Sequence, residues 1–132
     1  MATEIRRLSV SIDRPATEAY EFLAVPENFA KWASGLGASL RQSGADYHVD
    51  TAEGLAKVQF SERNRFGILD HRLTLPGGRS VYVPLRVATS GSGCALTLTL
   101  FRRPAASDAE FEADAQWVMR DLQAAKRLLE AR

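Results

Sequence analysis

The chain carries a single cysteine, Cys94, in 132 residues. That excludes an intrachain disulfide and a cysteine-based zinc site built by one chain. It has only two histidines, His48 and His71. No apolar run approaches the roughly 20 residues that cross a bilayer as a helix. The opening residues MATEIRRLSV lack the apolar stretch of a secretory leader. An excess of one charge is missing as well: 17 Lys and Arg against 16 Asp and Glu leave a net charge of +1. The arginines are scattered, and Arg6-Arg7 and Arg102-Arg103 are only local pairs. Such a balance gives no electrostatic case for a nucleic-acid or anionic-membrane partner. Linkers, repeats and low-complexity segments are also absent. The expectation is one domain over residues 1–132, soluble and cytoplasmic, with no cofactor, no metal and no membrane span.

What is present begins with SVSIDRPATEAYEFLAVPENFAKWASGL, residues 9–36. Leu8, Val10 and Ile12 alternate with Ser9, Ser11 and Asp13, which reads as a half-buried strand. Pro15 suits a first helical position, where its missing N–H costs nothing. The helix over 15–24 is interrupted at Pro26, which pushes Val25 toward extended geometry. Glu27 to Ala33 reads as a second short helix with Phe29 and Trp32 on one side, ended by Gly35 and Gly37.

Strands and turns fill the middle. Tyr47, Val49 and Thr51 alternate with His48 and Asp50; Ala56, Val58 and Phe60 alternate with Lys57 and Gln59. Leu69, His71, Leu73 and Leu75 form the next inward set. Val81, Val83, Leu85 and Val87 follow as one strand, with Tyr82, Pro84 and Arg86 facing the other way. Leu96, Leu98 and Leu100 complete the series. The turns are Glu53-Gly54, Asn64 to Gly67, Pro76-Gly77-Gly78 and Ser90 to Gly93, short enough for an antiparallel meander. Ser107 or Asp108 then caps a helix that runs to about Leu129. Its stripe is Phe111, Ala115, Val118, Leu122, Ala125 and Leu129. An antiparallel sheet with one hydrophobic face needs cover, and this helix supplies it.

The segments SIDRPATEAYEFLAVPENFAKW and FEADAQWVMRDLQAAKRLLE, on either side of that meander, resemble the START-like superfamily, also called SRPBCC. Its members include polyketide cyclase/dehydrase-like proteins, lipid-transfer domains and birch-pollen-allergen-like proteins. The central FGILDHRLTLPGGRSVYVPLRV is similar to a small bacterial branch described only as polyketide-cyclase-like. The resemblance covers essentially the whole chain. It implies an α+β helix-grip fold: a curved antiparallel sheet of about seven strands wrapped on the long C-terminal helix, with two short helices after the first strand. It also implies a cavity that takes lipids, sterols, polyketides or other apolar molecules. The superfamily spans carriers, cyclases and chaperone co-factors, and no motif here selects one.

His71 is the leading polar candidate, because by parity it faces inward with Leu69 and Leu73. It reads either as an acid/base or ligand-binding imidazole, or as a structural histidine bonded to backbone. Asp70 and His48 have outward parity, so neither a dyad nor a histidine metal site is expected. Arg86 and Tyr82, four apart, enter the cavity only if a bulge at Pro84 turns the strand; otherwise they are an outward pair. Phe29, Trp32 and Tyr47 are candidates for the cavity mouth or for plain packing. Val58, Phe60, Leu73, Val83 and Leu98 are its expected strand walls, and Phe111, Val118 and Met119 its expected helix wall. Cys94 reads as a small core residue. Trp117, about 120° from Phe111 around an ideal helix, covers the helix edge or meets a partner chain.

The sequence thus points to a monomer or weak homodimer that binds a small hydrophobic or aromatic molecule, lipid- or polyketide-like. The alternative is a polyketide cyclase, aromatase or dehydratase with His71 as acid/base, assisted by Arg86 or Tyr82. A third reading is a protein-binding module that uses the convex sheet face or Trp117.

Overall fold

Two antiparallel sheets meet at Pro84. The computed structural model describes residues 3–34 and 39–132, so Gly35 and Gly37 lie outside the described residues. Strand β1 (Ile5–Ile12) leads into helices α1 (Ala16–Leu23) and α2 (Pro26–Trp32). Strands β2 (Arg41–Ser43), β3 (Asp46–Thr51), β4 (Gly54–Phe60), β5 (His71–Thr74) and β6 (Ser80–Val83) form one sheet in that order. Strands β7 (Leu85–Ser90) and β8 (Gly93–Phe101) join β1 in the other, in the order β1-β8-β7. Helix α3 (Asp108–Glu130) follows and packs on β1 and β8. No helix among the described residues is long and apolar enough to cross a membrane.

The strand expected over 81–87 is therefore two strands. Pro84 has no N–H to give to a ladder, and the chain changes partners there. The carbonyl of Pro84 still accepts from Thr99 N at 3.0 Å, so β8 runs past the joint. This division, together with the three-residue β2, raises the strand count to eight. Arg41, Gln42 and Ser43 of β2 are all exposed, which explains why no alternation announced that strand. Val81 has inward parity yet is 37% exposed, because β6 is an edge strand.

Local signals account for the helices. Pro15 is the N-cap of α1 at φ −58°, so that helix begins one residue later than expected. Val25 is extended and Pro26 opens α2, one residue before its expected start. Asn28 Nδ2 donates to Phe22 O at 2.8 Å and satisfies a carbonyl at the end of α1. Ser107 and Glu110 close a capping box on α3. Phe111, Ala115, Leu122, Ala125 and Leu129 are buried along the expected stripe. Both ends of α3 are tied down. At its start Arg102 pairs with Asp108 at 2.8 Å and Arg103 with Asp114 at 2.7 Å. At its end Arg14 donates to the carbonyls of Glu130 and Arg132, and Asp13 N donates to Glu130 Oε2.

Asp70 holds the joint between the sheets. It was expected to face outward, but it is 3% exposed, because here the chain passes between the two sheets. Ile68 bridges to Arg86 of β7, while His71 already pairs with Val83 of β6. The Asp70 carboxylate accepts from Tyr82 Oη at 2.5 Å, Leu85 N at 2.9 Å, and Arg86 Nε and Nη2 at 3.0 and 2.8 Å. Leu85 N is the first donor after Pro84, and the carboxylate replaces the ladder partner it lacks. Gly67 lets the same loop press on β7. At φ +73° its carbonyl accepts from Val87 N at 2.9 Å, and a Cβ there would sit 2.1 Å from Val87 O.

Burial pushes the Asp70 carboxyl up, but the hydrogen bonds from Arg86, Tyr82 and Leu85 outweigh it and hold the group at about 2, against an ordinary 3.8. A depressed carboxyl stabilises the fold above the unfolded value and ceases to as pH falls through the folded one. The contribution is on the order of 2 kcal/mol, lost between pH 3.8 and about 2. Asp70→Ala leaves Leu85 N–H unpaired, and urea denaturation at pH 7 is expected to show a loss of about 2–4 kcal/mol. Tyr82→Phe removes one bond and should cost about 1 kcal/mol.

Candidate functional site

Between α3 and the interior faces of the strands lies a cleft of about 530 Å³, partly open to solvent. Phe29, Trp32, Ala33 and Ser34 wall it from the end of α2, and His71 and Leu98 from β5 and β8. Trp117, Val118, Asp121 and Leu122 contribute one face of α3, and Asp50, Thr51 and Ala52 the β3–β4 turn. The wall is mostly hydrocarbon with a few polar groups.

Phe29 organises the inner end. Its ring meets Trp32, Phe60 and His71 edge-on at centroid distances of 5.3, 5.7 and 5.5 Å. Trp32 is 5% exposed and Phe29 half-buried, so these two aromatics, candidates for the mouth or for plain packing, stand in the inner wall. The rim is made instead by Trp117, 48% exposed, and the β3–β4 turn. The Trp117 ring carries the Arg120 guanidinium at 5.4 Å.

His71 is 7% exposed and lines the cleft. Its Nδ1 lies 3.5 Å from Leu69 O, a long contact, and Nε2 has no partner among the described residues. Burial lowers its proton affinity below the ordinary 6.5, so the ring is neutral at pH 7. Asp70 beside it is turned away to the joint.

Asp121 is the polar group that the sequence reading missed. Its Oδ1 accepts from Ser34 N at 3.1 Å and Ser34 Oγ at 2.5 Å. Burial pushes its carboxyl up, opposed by those two bonds. A signal was present. Asp121 has Trp117 and Ala125 at four residues either way, and Val118 and Ala124 at three. A helical carboxylate with no basic neighbour at those spacings is on an apolar flank.

The remaining candidates lie elsewhere. Tyr82 and Arg86 are engaged at Asp70 and do not line the cleft, since the break at Pro84 leaves Leu85 and Val87 facing inward. Tyr47 donates to Glu27 Oε2 at 3.0 Å, which ties α2 to β3, and its ring meets Phe60 edge-on. Val58 and Leu73 pair across β4 and β5 in a separate small core with Val49, Ala56 and Leu75. Phe60 borders a void of about 20 Å³ behind Phe29. Val83 lines a side groove of about 280 Å³ that shares Leu98, Trp117 and Val118 with the cleft. Phe111 is buried about two turns before Val118, under Arg6 and Arg102. Met119 packs on the main core. Cys94 is buried, and its thiol is pushed up by burial. Among the described residues no three His, Cys, Asp or Glu side chains are grouped to hold a metal ion.

No protein-family model and no curated protein sequence matches the chain. Solved structures do. DynU16, a protein in the dynemicin biosynthetic locus, is 21% identical and superposes with a TM-score of 0.70 over 98% of this chain. The chain spans about half of DynU16, 48% of its length. Ara h 8.0201 is 10% identical, with a TM-score of 0.68 over 99% of this chain and 100% of its own. The Aha1 dimer from Colwellia psychrerythraea is 12% identical, with a TM-score of 0.68 over 96% of each chain. At these identities the likeness establishes the fold alone, the helix-grip of a curved antiparallel sheet on a long C-terminal helix expected from the sequence.

A buried histidine held neutral has a measurable signature. The unfolded chain takes up a proton near pH 6.5 that folded His71 resists, so stability is full above that pH and falls below it. Urea melts between pH 7.5 and 5.5 should show a decline of up to about 1.4 kcal/mol per pH unit. In His71→Leu that part of the decline should vanish.

Proposed function

We propose that the protein binds a small hydrophobic or aromatic molecule in the cleft between α3 and the sheet. The observation that carries this reading is the cleft itself. At about 530 Å³ it falls within the range of small-molecule sites, roughly 300–1,000 Å³. Its wall combines Phe29, Trp32, Leu98, Val118 and Leu122 with a few polar side chains, the composition that gives an apolar ligand both area and orientation. The fold shared with a protein of a biosynthetic locus agrees with a metabolite-sized ligand.

A second reading is an enzyme of the cyclase, aromatase or dehydratase type. It is favoured by His71, neutral through burial, with one ring nitrogen unpartnered at the wall. A neutral imidazole shielded from water takes a proton from a bound carbon or hydroxyl acid and returns it. Arg86 and Tyr82 have no part in this version, being engaged at Asp70. Turnover of a polyketide-type substrate that survives His71→Ala removes the acid/base role.

Both tryptophans of the chain, Trp32 and Trp117, line the cleft, so intrinsic fluorescence reports on it. N-phenyl-1-naphthylamine, an uncharged probe, should quench that emission saturably and brighten as it leaves water. Val118→Phe narrows the cleft and should weaken binding about tenfold or more while stability changes by about 1 kcal/mol or less. No saturable quenching, or equal affinity in Val118→Phe, argues against the cleft as the binding site.

A further inference from the structure

The polar groups of the cleft are strongly biased. Among the described residues Asp50 and Asp121 are its only carboxylates, and no lysine or arginine lines it. Residues 35–38, which follow Ser34 in the chain, read Gly-Leu-Gly-Ala and add no cation. Asp50 is neutralised at the rim by Arg41 at 3.0 Å. Among the described residues Asp121 makes no salt bridge, Ser34 occupies its Oδ1, and Oδ2 has no hydrogen-bond partner. Arg120, next along the helix, packs over the Trp117 ring and does not line the cleft.

Donors are scarce on the same wall. Ser34 Oγ donates to Asp121, and Thr51 Oγ1 donates to Gly54 O at 2.6 Å. The indole nitrogen of Trp32 is sealed from solvent and has no partner among the described residues. With its proton on Nδ1, toward Leu69 O, His71 presents Nε2 as an acceptor. The inner cleft thus offers a ligand two acceptors, one of them an anion in apolar surroundings. A carboxylate brought beside Asp121 meets like charge and loses its water together. An ammonium or hydroxyl supplies the donor that Oδ2 lacks among the described residues.

Resting on the reading of the cleft as a small-molecule site, we infer that its ligand carries a hydrogen-bond donor, an amine or hydroxyl, on an apolar ring-sized body, and bears no carboxylate. Asp121 is the residue that sets this preference and Ser34 the one that positions it. Fatty acids and other apolar anions are thereby disfavoured.

Three compounds of one shape test the inference: 1-naphthylmethylamine, 1-naphthalenemethanol and 1-naphthoate, titrated calorimetrically into the full chain at pH 7.5. The amine and alcohol should bind about tenfold or more tighter than the acid. Asp121→Asn keeps the shape and removes the charge, and should shrink the amine-to-acid ratio to about threefold or less. Asp121→Ala should do the same if the amide variant folds poorly. The inference is overturned if 1-naphthoate binds as tightly as the amine, if the three are indistinguishable, or if both variants keep the full ratio. N-phenyl-1-naphthylamine separates the two levels of failure. If it still binds, the cleft reading stands and only the donor preference is lost; if it and all three compounds fail to bind, the cleft reading fails and takes the inference with it.

Discussion

The Asp70 carboxylate, buried at the seam between two sheets, is the interaction on which the architecture depends. Pro84 ends one ladder without starting another, and Leu85 N–H would otherwise be buried unpaired. Asp70 meets that need and takes Tyr82 and Arg86 with it. A surface ion pair contributes little, but a carboxylate with four donors in a buried position is costly to break. Because it sits one residue before His71, the same clamp fixes the backbone from which the imidazole faces the cleft. One residue looks to the seam, its neighbour to the site.

The cleft follows from how the layers close. β8 passes the joint and carries Leu98 under α3, while α2 delivers Trp32, Ala33 and Ser34 to the far side of the helix middle. Large aromatics at the inner end pack on one another and on His71, so space remains between them and Val118. The wall that results is apolar in area and acidic in its one uncompensated charge.

Much of this was legible in the sequence, because much of it is periodicity. The stripe on α3, the inward alternation of β1 and β8, and the prolines at the starts of α1 and α2 each state a local rule that the fold obeys. The inward parity of His71 was readable for the same reason. Asp70 was not, since parity holds along a strand and Asp70 lies where the chain leaves one sheet for another. The site was harder still. Phe111 and Met119 belong to the same helix surface as Val118, and a stripe does not say which of its turns faces empty space. Asp121 was overlooked because a charge one step from a core leucine looks like the edge of a solvated face. Its apolar neighbours at three and four residues were the cue.

The ties on α3 give the helix a mechanical character. Arginine-rich contacts hold both ends, from Arg102 and Arg103 at the start to Arg14 at the finish. Between them, over Trp117 to Leu122, the one polar tie among the described residues is Asp121 to Ser34, which follows α2 and is not part of the sheet. The helix is a beam pinned by polar contacts near its two ends, while the span over the cleft rests on apolar packing through Val118, Met119 and Leu122. Dispersion contacts carry no fixed direction, so the middle of the beam is located by shape and its ends by geometry.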